Sequence, residues 1–367
     1  MPEVLTLGMR KFVKIFLLAF LFSCDDPKDC CPGPDPVEKE LIRGTDISFL
    51  PEIEEAGVVF KDEAGSEKNM LDILKASGVN TIRIRLWHTP VDEHSSLEEV
   101  KALAARVKAK GMSVWLSVHY SDTWADPGHQ AKPEAWSDAS FTDLQDSVYR
   151  YTKKIMTAID PDIIQIGNEI NPGFLLPDGG TGASTLPNFI ALLKKGVQAV
   201  RETSDDTEIM MHVAGLDGAN WFYQQLSANN VDYDLIGLSY YPIWHGKDLN
   251  VVQSTVQSLG FAYNKHVVLA ETAYPFSLLW EDWTNNIVGE NGQLVSGYPA
   301  TPEGQKNFLL KLREIMNKSS KGAGFCYWGT EWVSFKGDEA TNGSSWENQA
   351  LFDFNNKAVP ALEAFAE

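Results

Sequence analysis

Two glutamates stand at matching places in the chain and could do chemistry together. The apolar run Ile163-Ile164-Gln165-Ile166-Gly167 ends on Asn168-Glu169, and the run His266-Val267-Val268-Leu269-Ala270 ends on Glu271. A buried strand that stops on a carboxylate delivers it to the mouth of a barrel or sheet. Two such carboxyls can divide the breaking of an acetal between them: one stays protonated for the leaving oxygen, the other stays ionised to attack the anomeric carbon. A single strand-end Glu is more often a helix cap or an ion-pair partner, so the weight rests on the pair and its polar neighbours.

The elements that must position this pair read as an alternation of strands and helices from residue 40 onward. Strands are expected at Leu41–Ile47, Val79–Leu86, Val114–Val118, Ile163–Ile166, Ile209–Val213, Leu235–Leu238, Val267–Ala270 and Phe325–Trp328. Between them lie helical faces: Met70, Ile73 and Leu74, closed by Gly78; Leu97, Val100, Leu103 and Val107, opened by a capping box from Ser96 to Glu99 and stopped at Gly111; and Leu144, Val148, Tyr151 and Ile155. Further helices are expected around Phe189–Val200 and from Thr301-Pro302, with Pro at the first helical position. Eight strands alternating with helices pair in parallel, and eight is the number that closes a (β/α)8 TIM barrel, an α/β fold. An open doubly wound sheet is the alternative, but no Gly-rich phosphate turn follows the first strand. The region 40–367 is read as one catalytic domain.

In such a barrel the C-terminal ends of the strands line the active site. Those ends supply Asp46, then Arg83 and Arg85 followed by Trp87, His119 after the third strand, Asn168-Glu169, Ser239-Tyr240-Tyr241, Glu271 and Trp328. Arg83, Arg85 and Trp87 share parity and project to one side. Arg85 and Tyr240 are expected to hold an attacking carboxylate ionised and oriented, and Asn168 to bond the 2-hydroxyl of a sugar. The bland readings are Arg83 as a structural ion-pair residue under the barrel mouth and His119 as a satisfied core histidine.

These segments resemble clan A glycoside hydrolases, and more closely the endo-β-1,4-galactanases of glycoside hydrolase family 53. The resemblance rests on Arg43-Gly44-Thr45-Asp46, Thr81-Ile82-Arg83-Ile84-Arg85-Leu86-Trp87, His119 to Gly128, Gly167-Asn168-Glu169, Ser239-Tyr240-Tyr241-Pro242, Glu271-Thr272-Ala273-Tyr274 and Ser345 to Asp353. The stretch from His119 to Gly128 is the most specific of them. The resemblance implies an endo-acting retaining enzyme with Glu169 as acid/base and Glu271 as nucleophile, and a groove for β-1,4-galactan, the side chain of pectic polymers, and its oligosaccharides. Trp87, Trp124, Asp122 and Trp346 are the groove residues it suggests; Trp136, Trp221, Trp244, Trp280 and Trp283 are read as groove or surface. No cofactor is required. Bacterial relatives bind a structural calcium between the loops after strands seven and eight. Here the loop Tyr274–Pro302 offers Glu281, Asp282, Asn285, Asn286, Glu290 and Asn291 without a recognisable ligand spacing, so no metal ligand is assigned.

Bulk properties narrow the partners. The 367 residues carry a formal charge of −19, with 31 Lys and Arg against 50 Asp and Glu, which excludes nucleic acid and suits a neutral substrate. Eleven Trp are more than a core of this size needs and suggest flat surfaces for sugar rings. At the N-terminus, Arg10, Lys11 and Lys14 precede the short apolar stretch Ile15–Phe22, and Leu21-Phe22-Ser23-Cys24 resembles a lipobox. Residues 1–23 are therefore expected to be a lipoprotein signal peptide, Cys24 the lipidated residue and 24–39 a flexible tether. The acidic stretch Asp25-Asp26-Pro27-Lys28-Asp29 resembles the surface-export signal of Bacteroidetes lipoproteins. The expectation is an exported lipoprotein of the cell surface, outer membrane or periplasm, monomeric and touching the membrane through its lipid alone. Cys30 and Cys31 are adjacent in the tether, where a mutual disulfide would be strained, and Cys326 reads as a small core hydrophobe. Two other functions compete: a non-catalytic glycan-binding lipoprotein on the same scaffold, and a clan A hydrolase for a different β-glycan.

Overall fold

A computed structural model describes residues 40–367; Cys24, the signal peptide and the tether lie outside the described residues. Eight strands close a barrel in sequence order, every pair parallel: β1 (Ile42–Asp46), β2 (Thr81–Leu86), β3 (Ser113–Val118), β4 (Ile163–Ile166), β5 (Glu208–Ala214), β6 (Leu235–Ser239), β7 (His266–Thr272) and β8 (Gly322–Tyr327). The connections carry α1 (Leu50–Glu55), α2 (Met70–Ala76), α3 (Leu97–Ala109), α4 (Phe141–Ile159), α5 (Leu186–Arg201), α6 (Ala219–Ala228), α7 (Pro242–His245), α8 (Leu249–Tyr263) and α9 (Pro302–Lys318). The expected (β/α)8 barrel is the observed fold. Helices α1, α6, α7 and α8 add to those read from the sequence.

Local signals set several helix ends. Asn69, Ser140 and Thr301 accept hydrogen bonds from the first-turn amides of α2, α4 and α9, and Pro302 opens α9. The capping box at Ser96 is corrected in part. Ser96 does accept from the Glu99 amide, but the Glu99 carboxylate reaches the Ser95 amide and the ring of His94 instead of Ser96. Leu97 is only partly buried.

Strand alternation sorts side chains into two cores. Ile82, Ile84, Leu116, Ile164, Met211, Leu238 and Leu269 face outward into the layer beneath the helices. Ile42, Trp115, Ile163, Met210, Leu235, Val268 and Cys326 fill the lower barrel. Two residues further along β3, β4 and β5 the inward positions turn polar, bringing Ser117, Gln165 and His212 above this plug, where Arg83 of β2 meets the first two. One irregularity has chemical consequences. Leu238 pairs with Leu269 and Ser239 with Glu271, so Ala270 is an extra residue in β7. Val268 and Ala270 face inward, and strict alternation would send Glu271 to the outer side. The bulge re-aims it into the barrel mouth.

Candidate active site

Arg83 lies at the centre of the mouth, 1% exposed. Its Nη1 donates to Asp46 Oδ2 at 2.7 Å, and its Nη2 to Glu271 Oε1 at 2.8 Å and Asn168 Oδ1 at 2.8 Å. Nε donates to Gln165 Oε1 at 3.3 Å. Burial works against this charge, but Glu271 and Asp46 more than offset it, and the guanidinium stays protonated. The second oxygen of Glu271 accepts from the Tyr241 hydroxyl at 3.0 Å.

Glu169 faces Glu271 from the turn after β4. The turn is shaped by Gly167 at φ +80° and by Glu169 itself at φ +47°, a left-handed conformation uncommon outside Gly. Gln130 holds it there by donating to the carbonyls of Asn168 (2.8 Å) and Glu169 (3.3 Å). One oxygen of Glu169, one of Glu271 and a ring nitrogen of His212 lie within 4.8 Å of one another. Burial, then the charge of Glu271, push the Glu169 carboxyl up to about 8. Burial also raises Glu271, opposed by the Arg83 charge and by the Tyr241 and Arg83 hydrogen bonds. Of the two, Glu271 ionises first and Glu169 keeps its proton through neutral pH.

The pair opens into a cavity of about 460 Å³ whose walls include Trp124, Trp244, Trp328, Trp332 and Trp346. Arg85 braces one wall, stacked 4.1 Å from the Trp124 ring centre and 4.5 Å from those of Phe49 and Trp87. Phe49 in turn stacks on Trp332 at 4.1 Å. His119 Nδ1 accepts from the Trp87 indole and the Ala125 amide, so the ring hydrogen sits on Nε2. Burial and the nearby Arg85 and Arg83 charges hold this ring neutral. A larger recess, about 1180 Å³, between α2 and the C-terminal residues is lined by Asp62, Lys68, Asp72 and Pro360 and holds no facing pair of this kind.

The structure corrects four sequence expectations. Tyr240 does not reach Glu271: it is buried among the outer core residues and its hydroxyl donates to the Gly246 carbonyl, while Tyr241 holds the carboxylate. Arg85 does not hold Glu271 either; Arg83 does, and Arg85 bonds Ser95 and braces the aromatic wall. Asp122 is not in the cavity, because both its oxygens are used in tying the loops after β2 and β3 through the amides of Thr89 and Glu134. Trp87 supports the wall from behind His119 without lining the cavity. Trp244 lines the cavity, Trp136 is buried, and Trp221, Trp280 and Trp283 lie exposed on the surface. Sequence reasoning missed Trp332, Gln165, His212 and Gln130, and placed Ser239 at a strand end without a role. Parity with Leu235 on β6 and Met210 on β5 would have pointed to Ser239, Tyr241 and His212.

Among the described residues, Glu169, His212 and Glu271 form the one group of three acid or imidazole side chains that could share an ion. Both nitrogens of His212 are engaged by Gln165 and Ser239, and Arg83 lies against Glu271, so this is a hydrogen-bonded array and not a metal centre. The loops after β7 and β8 are different. Asp282 accepts from Ser334, and Glu347 from the Glu281 amide and Asn286. Four buried oxygens there accept nothing: Glu281 Oε2, Glu347 Oε2, Asn286 Oδ1 and Asn348 Oδ1. Two carboxylates and two amide carbonyls are a donor set suited to calcium.

A parallel eight-stranded barrel with two carboxyls facing each other at its C-terminal mouth, one ionised and one protonated, is a glycosidase scaffold. The chain belongs to glycosyl hydrolase family 53, whose sequence model matches residues 42–365. It is 36% identical to an arabinogalactan endo-β-1,4-galactanase of Cellvibrio japonicus, over 88% of this chain and 89% of that protein. An endo-β-1,4-galactanase of Bacillus subtilis is 30% identical, over 90% of this chain and 86% of its own length. Among solved structures, the family 53 catalytic domain of Ignisphaera aggregans superposes with a TM-score of 0.84 at 38% identity, covering 89% of this chain and 95% of that one.

The assignment of Tyr241 over Tyr240 is testable. Removing a hydroxyl that bonds a carboxylate should cost about 1.5–3 kcal/mol, so Tyr241→Phe lowers kcat/KM for glycoside hydrolysis by about ten- to a hundredfold. Tyr240→Phe loses a single backbone contact and is expected to stay within about twofold of the parent. Equal losses would contradict the assignment.

Proposed function

We propose that this chain is an endo-acting, retaining β-1,4-galactanase that cuts galactan side chains of pectic polymers. The observation that carries this reading is Glu271, gripped by Arg83 and Tyr241, facing a protonated Glu169 with an oxygen of each within 4.8 Å. Such closeness supports retention, for which carboxyl groups lie about 5–5.5 Å apart; inversion needs about 6.5–9.5 Å to seat a water.

In the first step a Glu271 oxygen bonds the anomeric carbon while the bond to the leaving oxygen breaks, and Glu169 gives that oxygen its proton. In the second, Glu169, now ionised, takes a proton from water as the water displaces Glu271. Asn168 contributes to both. Its Oδ1 is saturated by Arg83 and Gln165, and Nδ2 spends one hydrogen on the Ala125 carbonyl. The second Nδ2 hydrogen remains for the sugar 2-hydroxyl. The Trp walls offer apolar faces to galactose rings, and the printed activities of the Cellvibrio and Bacillus relatives support galactan as the polymer.

The same reading makes the chain an exported, monomeric lipoprotein anchored through Cys24; labelling with a radioactive fatty acid, lost in Cys24→Ala, tests the anchor. It also assigns calcium to the junction of the loops after β7 and β8, held by Glu281, Glu347, Asn286 and Asn348, where its charge would lock the loops together.

Purified enzyme on galactan is expected to release mixed intermediate lengths early and to leave mannan, xylan and glucan intact. Glu271→Gln and Glu169→Gln should each lower turnover on galactan by at least about a thousandfold; the melting temperature should hold in Glu169→Gln and fall in Glu271→Gln, which takes an anion from the buried Arg83. Near-normal turnover by Glu271→Gln would remove it as nucleophile. Chelation should lower the melting temperature by several degrees and calcium should restore it; an unchanged melt speaks against the metal.

A further inference from the structure

A chain of hydrogen bonds crosses the barrel from Arg83 to Glu169, and its direction can be read atom by atom. Arg83 has donors only, so the Gln165 atom it meets is the carbonyl oxygen, and the Gln165 amide nitrogen points the other way. That nitrogen lies 2.9 Å from His212 Nδ1. The backbone amide of Glu169, which can only donate, also points at Nδ1 at 3.3 Å. Nδ1 is therefore an acceptor, its 3.1 Å approach to Asn168 Oδ1 is a contact without a hydrogen, and the ring hydrogen sits on Nε2. Nε2 lies 2.9 Å from Ser239 Oγ and donates to it. The hydroxyl hydrogen of Ser239 then has one acceptor left, Glu169 Oε1 at 2.5 Å.

This polarity has a consequence for the acid. Were the Glu169 proton on Oε1, it would point at Ser239, whose own hydrogen would have nowhere to go, since the His212 Nε2 hydrogen fills the other side. We propose that Ser239 and His212 are positioning residues that confine the transferable proton of Glu169 to Oε2, and that Ser239 sets how readily that proton is delivered to the leaving oxygen. This rests on the assignment of Glu169 as acid/base. One guanidinium thus orients both carboxyls, Glu271 by direct contact and Glu169 through Gln165, His212 and Ser239.

The groups facing Glu169 are Glu271 from β7, Arg83 from β2, Tyr241 after β6, Asp126 after β3 and the neutral His212 from β5. Beside these, Ser239 acts on the carboxylate by donating to it, which favours the ionised form. Without that bond Glu169 holds its proton to higher pH.

The test is a pH profile of kcat/KM for Ser239→Ala with two substrates, galactan and an aryl galacto-oligosaccharide whose dinitrophenolate leaves without a proton. In the parent the acid limb reports ionisation of Glu271 and the alkaline limb loss of the Glu169 proton. In Ser239→Ala the alkaline limb should move up by as much as about one pH unit, with the acid limb unmoved. Activity on galactan should fall at least about tenfold while the aryl substrate stays near the parent rate, because only galactan needs the proton. Ser239→Thr, which keeps the hydroxyl, should restore both. An unmoved alkaline limb together with equal losses on the two substrates overturns the proposal and makes Ser239 merely structural. Should Ser239→Ala fail to fold, Ser239→Cys keeps a weaker donor in place and should show the same shift, reduced. Glu169→Gln on the same substrates separates the two levels: if it loses galactan and aryl activity equally, the acid/base assignment itself is wrong, whatever Ser239 does.

Discussion

The structure depends on a positive charge sealed inside a barrel. Arg83 rests above the Trp115 ring, 5.7 Å from its centre, with Asp46 on one side and Glu271 on the other. A guanidinium taken out of water is costly unless anions and hydrogen-bond acceptors surround it, and removing one partner leaves an uncompensated charge. Asp46, Glu271, Asn168, Gln165 and Ser117 meet that demand from four further strands or their ends. The charge of Glu271 is thereby part of the architecture, present before any substrate arrives. The apolar plug below keeps the dielectric low, which strengthens each of these contacts.

The two carboxyls differ because their surroundings do. Glu271 is bonded on both oxygens by groups that prefer it charged, Arg83 and Tyr241. Glu169 is buried beside that negative charge and has one hydroxyl, that of Ser239, in its favour. A burial shared by both residues thus gives opposite protonation states, and the division of labour follows from it. The aromatic walls rest on Arg85, which uses its charge for stacking where Arg83 uses its own for ion pairing. Two arginines two residues apart on β2 therefore do unrelated work.

Much of this was legible in the sequence because barrels repeat a simple rule: buried strand, polar end, helix. The strand runs, Asn168-Glu169, Glu271 and Trp328 came from it, while Trp124 and Trp346 came from the family resemblance. What was not legible depends on departures from the rule or on three-dimensional pairing. Strict alternation in β7 aims Glu271 out of the barrel, and only the extra residue at Ala270 turns it in, a bulge that no local composition announces. Arg83 and Arg85 have identical parity and chemistry; depth in the barrel decides which meets a carboxylate. His212 and Gln165 sit inside apolar strands, where a polar residue reads as an exception until its partners across the barrel are known. Tyr241 in place of Tyr240 was within reach, since parity on β6 runs Leu235, Gly237, Ser239, Tyr241.

The most direct test is to trap the covalent intermediate. A galacto-oligosaccharyl fluoride carrying fluorine at C2 loses fluoride to the nucleophile, and the electron-poor sugar then hydrolyses slowly, so the ester accumulates. Digestion and peptide mass spectrometry should find the sugar on Glu271, in a one-to-one adduct. A label on Glu169, or active enzyme that turns over the reagent with inversion and carries no label, would contradict the account.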